Sequence, residues 1–412
     1  MVEEMQLRHT DVVIAGGGLA GSLAAAMLGR AGIDAVLVDP HPVYPPDFRC
    51  EKLDGTQLQT LRLTGLADAV MRASTPYQEC WVARFGHVVE KLLGDQQGIL
   101  YDTLVNTVRS QIPTRTQFIH GKVTDIATSP ERQTVKLSTG NEITARLVVL
   151  ATGLNIGLRQ KLGIAREILS PNHSISIGFD VQPVDRSAFP FSSLTYFTER
   201  PAERMAYISL FPIGATTRVN MFAYRDLHDP WLKQFRDAPQ DTLFAMWPGL
   251  RKLMGDFTVS GFVQIRPVDL FVIKGYRQNG VVLVGDAFSS SCPAAGTGAR
   301  KVLVDVERLC NVHIPRWLET PGMGEAKTAA FYDDPVKQAC DTLSAKKAFG
   351  LRSYSIDSSP RWAALRWIKF VAQWGRGALR RLTATQASSG IGLHEETEAE
   401  APTWVRSTPA HK

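Results

Sequence analysis

The stretch Asp11-Val12-Val13-Ile14-Ala15-Gly16-Gly17-Gly18-Leu19-Ala20-Gly21 decides the fold of this chain. Its first five residues are a short, mostly apolar run that reads as a buried strand, and Leu19 to Ala31 is rich in Ala and Leu and reads as a helix. Ala35 to Val38 reads as a second buried strand, and it ends on Asp39, 23 residues beyond Gly16. A G-x-G-x-x-G turn between strand and helix, with an acidic residue closing the next strand, is the fingerprint of a dinucleotide site. Each part has a mechanical reason. Gly16 permits the tight turn, Gly18 lets the backbone approach a pyrophosphate, and Gly21 lets helix and strand pack closely. The helix start at Leu19 and Ala20 contributes partial positive charge, and the Asp39 carboxylate can accept hydrogen bonds from an adenosine ribose.

Working outward, Asp54 to Ala73 and Gly98 to Gln111 read as helical, the second with Leu100, Leu104 and Val108 at fourfold spacing. Thr116 to Val149 reads as strands around a turn at Ser138 to Asn141, closing on the apolar run Leu147 to Leu150. Alternating segments dominate Asn172 to Val272, with a helical insert near Leu227 to Phe244, and Val281 to Val284 reads as one more buried strand. The expected fold class is therefore α/β: a Rossmann-like nucleotide-binding domain interleaved with an antiparallel-sheet substrate domain and followed by a helical C-terminal region. The boundaries fall at 1–171 for the first part of the nucleotide domain, 172–272 for the substrate domain, and 273–310 for the return. Helices fill 311–382. The last stretch, 383–412, is rich in Glu, Thr, Ser and Pro and reads as a disordered tail.

Composition narrows the function classes. With 412 residues, 44% hydrophobic and 21% charged, the chain can bury a large core. Met1 to Thr10 is polar and no apolar stretch reaches spanning length, so a cytoplasmic protein is expected. Cys50, Cys80, Cys292, Cys310 and Cys340 are odd in number and widely spaced, which fits neither a disulfide framework nor a zinc site. The net charge of +6 is concentrated in Arg361, Arg366, Lys369, Arg376, Arg380 and Arg381, with no acidic residue among them. The remainder is balanced, which argues against nucleic acid as a partner.

A second motif separates flavin from nicotinamide nucleotides. Gly280-Val281-Val282-Leu283-Val284-Gly285-Asp286-Ala287-Phe288 delivers Asp286 at a strand end, and Pro293-Ala294-Ala295-Gly296-Thr297-Gly298 brings small residues before a helix. Together with the early glycine turn and Leu147-Val148-Val149-Leu150-Ala151-Thr152-Gly153, this resembles the FAD-dependent monooxygenase superfamily with the aromatic-hydroxylase fold, relatives of flavin-dependent halogenases and geranylgeranyl reductases. The three motifs bracket residues 11 to 305. The resemblance implies FAD as cofactor. It places Gly16, Gly18, Leu19, Ala20, Gly21 and Asp39 at the ADP-binding turn, Arg49 and Arg109 as basic FAD contacts, and Val123 at the adenine. It places Asp286 at the ribityl chain, and Pro293, Gly296, Thr297 and Gly298 at the isoalloxazine ring. Either arginine could instead serve an ordinary ion pair.

In such enzymes reduced FAD reacts with oxygen, and the resulting flavin hydroperoxide oxygenates a small organic substrate, here expected to be aromatic or apolar. The protein excludes water and orients the substrate, so no side-chain nucleophile is required and no catalytic acid or base is assigned. Tyr196, Tyr207, Phe211, Phe222 and Arg266 are candidates on the inferred sheet face, with core packing as their alternative role. Cys292, beside Pro293, reads as a small buried hydrophobe rather than a redox partner. Where many single-component hydroxylases carry an Asp-Gly pair, this chain has Ala151-Thr152-Gly153-Leu154-Asn155, which leaves NADH, NADPH and a separate flavin reductase open as electron source. A reductase of an apolar or prenyl-type substrate and a non-catalytic binding module are alternatives on the same fold. A halogenase is disfavoured, because its Trp-x-Trp-x-Ile-Pro motif does not occur.

From Pro360 to Leu382, Arg366, Lys369, Gln373, Arg376 and Arg380 recur at helical spacing on one face, with Trp367, Phe370, Val371, Trp374 and Ala378 on the other. This segment reads in three ways: a helix packing its apolar face on the core, a peripheral contact with a membrane surface, or a dock for an acidic carrier protein.

Overall fold

The computed structural model describes residues 8–387. Strand β1 (Arg8–Ala15), helix α1 (Leu19–Arg30) and strand β2 (Ala35–Asp39) form the opening β-α-β unit, with β1 and β2 parallel and Ile14 opposite Leu37. Val12, Val13, Ile14 and Leu37 are fully buried, as parallel strands covered on both faces require. Next come β3 (Cys50–Leu53), α2 (Gly55–Leu63), α3 (Ala67–Ala73), β4 (Thr75–Arg84), β5 (His87–Leu100) and α4 (Tyr101–Arg109). The chain then runs through β6 (Gln117–His120), β7 (Val123–Ala127), β8 (Gln133–Leu137), β9 (Glu142–Leu150) and the short α5 (Gly157–Lys161).

A long strand β10 (Ala165–Pro183) leads to β11 (Ser193–Phe197), β12 (Met205–Ile213) and β13 (Thr216–Ala223). Three short helices, α6 (Pro230–Asp237), α7 (Pro239–Met246) and α8 (Pro248–Met254), each begin on proline, whose fixed φ suits a first helical turn. Strand β14 (Phe257–Lys274) pairs along β10, and β15 (Val281–Leu283) re-enters the first sheet. Helices α9 (Gly298–Arg308), α10 (Ile314–Leu318), α11 (Glu325–Tyr332), α12 (Pro335–Ile356) and α13 (Pro360–Ala387) complete the described chain.

Two sheets result. The first has the order β6-β2-β1-β9, and both the β8-β7 hairpin and β15 then join β9: β8 antiparallel beside Glu142–Ala145, β15 parallel beside Val148–Leu150. The second is eight-stranded, in the order β14-β10-β13-β12-β11-β4-β5-β3. One face of it is covered by α6 to α8, which bury Phe235, Trp247 and Leu250.

The expected boundary at 171 is corrected by this topology, because β3, β4 and β5 lie in the second sheet. Their segment carries little period-two patterning: Glu90 to Gln97 is Glu-Lys-Leu-Leu-Gly-Asp-Gln-Gln, and pairing with distant strands, not local alternation, makes it β. Strand β14 also runs past 272 and buries Phe271 and Ile273 in the first domain's core. Of the expected tail, residues 383–387 belong to α13, and the rest lies outside the described residues.

Helix α13 departs from the packing reading. Arg366 is buried and Lys369 rests over the Tyr354 ring, while Trp367, Ile368, Val371 and Trp374 are more than half exposed. Among the described residues, no helix is long and apolar enough to cross a membrane.

Candidate cofactor site

The glycine turn forms as its spacing predicts. Gly16 has φ +101°, and a Cβ there would lie 2.6 Å from the Ala151 carbonyl oxygen. A Cβ on Gly21 would lie 1.8 Å from the Gly16 carbonyl oxygen, so only glycine permits this approach of α1 to β1. Gly18 differs, because no atom lies within 4 Å of where its Cβ would stand. It caps α1 without a side-chain hydrogen bond, leaving the first-turn amides at Leu19 and Ala20 available to an anion.

Asp39 is fixed beside this turn. Its Oδ2 accepts the Gly17 N–H at 2.7 Å, its Oδ1 accepts the His41 N–H at 2.9 Å, and Arg109 Nη2 stands 3.2 Å from Oδ1. Arg109 also donates through Nε to the Gly17 carbonyl at 3.0 Å, which brings α4 onto the turn. Val123 opens β7 close by: two residues earlier, the Gly121 N–H bonds the Asp39 carbonyl at 3.1 Å. These residues gather as the sequence predicts.

Arg49 sits at the other end of the site. It pairs with Asp47 at 2.6 Å, receives the Tyr101 ring at 3.7 Å and donates to the Tyr44 hydroxyl at 3.0 Å. Arg49 thus forms an ion pair, and its charge also lies within electrostatic reach of Asp286 and Glu51. Burial raises the Asp286 carboxyl above its ordinary range, opposed by Lys301 and Arg49. Burial raises Glu51 as well, with Arg49 opposing and Asp286 reinforcing the shift.

The Gly285–Asp286 turn is held from behind by charges the sequence did not single out. Gly285 adopts φ +61°, and its N–H donates to Asp305 Oδ2 at 2.8 Å. Lys337 Nζ donates to Asp305 Oδ1 at 2.8 Å and to Asp341 Oδ2 at 3.0 Å, while Lys301 Nζ donates to the Ser289 carbonyl at 3.0 Å. Asp305 and Lys337 are each 1% exposed, so this is a buried ion pair. Burial opposes the Lys337 charge, but Asp305 and Asp341 outweigh it and raise the pKa. Buried Arg159 donates to the Ala287 carbonyl at 3.0 Å and to the carbonyls of Leu154 and Asn155, tying the turn after β9 to the turn after β15. The only foreshadowing of these groups was their helical setting, because they meet from separate segments.

Beyond the turn, Gly296 is left-handed at φ +64° with open space around it, and its carbonyl accepts from Gln57 Nε2 at 3.3 Å. Gly298 opens α9. The Thr297 hydroxyl turns away to Ser344 at 2.7 Å, so Thr297 offers the site only backbone. Pro293 starts a short turn whose Ala294 carbonyl accepts from the Tyr207 hydroxyl at 2.8 Å.

The second sheet turns one face toward this loop. Tyr207, Phe222 and Tyr224 pack with Cys292, Ala294 and Ala348, and the Tyr224 hydroxyl is buried with no hydrogen-bond partner. Cys292 is buried, 3.6 Å from the Ser174 hydroxyl, and burial raises its thiol pKa, consistent with a small buried hydrophobe. The remaining sheet candidates sort by strand alternation. Tyr196 is a correction: it points to the opposite layer, against Trp247, with its hydroxyl on Glu199. Phe211 stacks on Tyr77 beside Cys50, and Arg266 lies over the Phe48 ring at 4.5 Å.

This geometry fits FAD. The turns after β1, β2, β9 and β15 offer an uncapped helix start with open space at Gly18, a fixed carboxylate at Asp39, the carboxyl of Asp286, and the buried, unpartnered hydroxyls of Thr152 and Ser291. The turns are mutually close, since a Cβ on Gly285 would stand 3.7 Å from the Ala20 Cβ on α1.

Comparison with known proteins agrees. Residues 9–312 match the family model described as FAD binding domain. The chain is 27% identical over 331 residues to the 3-demethoxyubiquinol 3-hydroxylase of Escherichia coli (strain K12), covering 75% of this chain and 80% of that protein. Its fold is similar to that of a p-nitrophenol 4-monooxygenase from Pseudomonas putida DLL-E4, with TM-score 0.71 and 16% identity over 90% of this chain and 95% of the other. It is also similar to a flavin-dependent brominase, with TM-score 0.67 and 19% identity over 92% and 99% of the two chains.

Proposed function

We infer, from the premise that this chain belongs to the FAD-binding-domain family of the FAD-dependent monooxygenase superfamily and is an FAD-dependent oxidoreductase, that it oxygenates a small aromatic or apolar substrate. One observation carries this reading. The loop Cys292–Gly296 is backed by a largely buried, aromatic layer of the second sheet in which Tyr207, Phe222 and Tyr224 touch the loop's own residues. Such a layer excludes water and accepts an apolar ring.

In this reading Gly16, Gly18 and the amides of Leu19 and Ala20 would hold the pyrophosphate, with Gly21 keeping α1 close. Asp39 receives the ribose hydroxyls, held in orientation by Arg109 and the Gly17 N–H. The backbone at Val123 meets the adenine. Asp286 would hold the ribityl chain, and the backbone from Pro293 to Gly298, Gly296 and Thr297 included, would hold the ring system. Bound FAD, once reduced, supplies the oxygen-activating chemistry. The chain's own residues would exclude water from the substrate and position it.

The relative named a hydroxylase and the monooxygenase neighbour support oxygenation over reduction of a prenyl-type substrate. The test starts with the visible spectrum of the purified protein. NADH or NADPH is then added without oxygen, and air is admitted. Flavin bands that bleach and recover, followed by oxygen uptake stimulated by candidate phenols or quinols, support the reading. Bands that stay unbleached with both donors point to a separate flavin reductase. Substrate turnover that consumes no oxygen would instead identify a reductase.

A further inference from the structure

We propose that α13 and the cleft beneath its first turns dock this protein onto an anionic phospholipid bilayer, with Arg84 and Arg366 receiving a lipid phosphate while Trp367, Ile368, Val371 and Trp374 enter the interface. The inference stands apart from the flavin chemistry and rests on how α13 is turned.

An amphipathic helix on a water-exposed surface packs its apolar stripe inward. Here Arg366 is buried and Lys369 half-buried against the body of the protein, while Arg361 is exposed and Arg376 is exposed at 56% although it reaches Glu90. Arg366 Nη1 donates to the carbonyls of Tyr354 and Asp357 at 2.9 and 2.7 Å, Lys369 Nζ lies 4.5 Å from the Tyr354 ring centre, and Arg376 Nε lies 3.5 Å from Glu90. The outward face carries Trp367, Ile368, Val371 and Trp374, exposed by 60%, 65%, 60% and 55%. Tryptophan and branched apolar residues on one helical stripe are suited to the boundary between headgroups and acyl chains.

The cleft beside this stripe supplies the second observation. Arg84, Phe85, Glu199, Arg366, Trp367 and Phe370 line it. Arg84 is 6% exposed, its Nε has no hydrogen-bond partner, and its one side-chain hydrogen bond is a long 3.4 Å contact to the Tyr354 hydroxyl. Neither Arg84 nor Arg366 forms an ion pair among the described residues, and Glu199, the one carboxylate on the cleft, is engaged by the Tyr196 hydroxyl. Burial and then the nearby Arg84 charge lower the Arg366 pKa. Asp357 offsets part of the Arg366 charge, but no carboxylate is ion-paired with either guanidinium among the described residues, and a phosphate oxygen relieves the cost of burying the two side by side through charge-assisted hydrogen bonds.

Trp367 belongs both to the cleft and to the exposed stripe, so the anion and the apolar surface it serves are continuous, which describes a lipid better than a free phosphate. An acidic carrier protein needs a cationic outer stripe, whereas the outer stripe of α13 around Trp367, Ile368, Val371 and Trp374 is apolar, with Arg366 buried behind it. From Arg361 to Arg381 no acidic residue repels an anionic membrane.

The test is flotation of the full-length, flavin-loaded protein with vesicles of phosphatidylcholine and of phosphatidylcholine mixed equally with phosphatidylglycerol. The proposal expects binding to the mixed vesicles at least about tenfold tighter, with a blue shift in tryptophan emission. Replacing Trp367, Val371 and Trp374 together by serine should abolish binding to both, and Arg84→Gln should erase the preference for phosphatidylglycerol. Should Arg84→Gln fail to fold, inorganic phosphate should erase that preference in the unaltered protein. A protein that floats with neither vesicle, binds both equally, keeps its binding in the triple variant, or instead forms a stoichiometric complex with an acidic acyl carrier protein overturns the proposal.

Discussion

Arg109 on α4 stands 3.2 Å from Asp39 at the end of β2, and the same guanidinium holds the Gly17 carbonyl. The ribose carboxylate is thus set by a helix that the glycine motif does not contain. Breaking the pair leaves Asp39 buried with one charged partner gone. Arg109→Leu is expected to weaken FAD retention by about tenfold or more, since charge-assisted bonds contribute roughly 1.5 to 3 kcal/mol each. Flavin release during dialysis measures it, and unchanged retention would sink this assignment.

Gly18 and Gly21 should separate binding from folding. The Gly18 Cβ meets open space, so Gly18→Ala should melt near the parent temperature yet lose FAD, because the added methyl stands where a pyrophosphate must approach. Gly21→Ala drives a methyl into the Gly16 carbonyl and should lose both stability and flavin. Parallel thermal melts and flavin absorbance decide between these outcomes.

Lys337 and Asp305 form a buried pair behind the Gly285–Asp286 turn. Lys337→Met leaves Asp305 uncompensated and should cost about 3 to 5 kcal/mol in unfolding free energy. Lys337→Met with Asp305→Leu should be less destabilised than Lys337→Met alone, while still losing flavin because the Gly285 N–H has no acceptor. Denaturant titration of the two variants is the measurement, and equal stability would refute the coupling.

His173 should add acid sensitivity. Its Nε2–H donates to the Ala348 carbonyl at 3.3 Å while Nδ1 accepts from Ser170, a neutral ring wedged against Tyr224 and Phe349, and burial lowers its pKa from 6.5 to about 4, with Arg352 adding to the shift. Above 6.5 the ring is neutral folded or unfolded. Between 6.5 and about 4 only the unfolded chain takes up the proton, so stability falls as pH falls through that window, by on the order of 3 kcal/mol at most. His173→Gln should flatten this part of the stability profile, and a profile identical to the parent's would discount the ring.

What the sequence made legible was local. The glycine turn, Asp39, and the strand ending in Asp286 each lie within one supersecondary unit, where spacing dictates geometry. Asp305, Lys337 and Arg159 escaped because their meaning is a meeting of distant segments. The strands in Cys50–Leu100 escaped because their polar edges gain β structure only from neighbours. Periodicity showed that α13 is amphipathic but carried no sign for which side faces inward; that depended on Tyr354, Asp357 and Glu90 being present to receive cations.

The pairing of β15 with β9 joins Val281 to Val148 across the five second-sheet strands β10 to β14. The first domain therefore lacks the strand beside Val148–Leu150 until Leu283 has been made, more than half the chain after the glycine turn. The turn that carries Asp286 follows β15, so the glycine turn and Asp39 are made long before the other half of the cofactor cleft, and a ribosome stalled ahead of β15 would carry a nascent chain whose FAD site lacks that half.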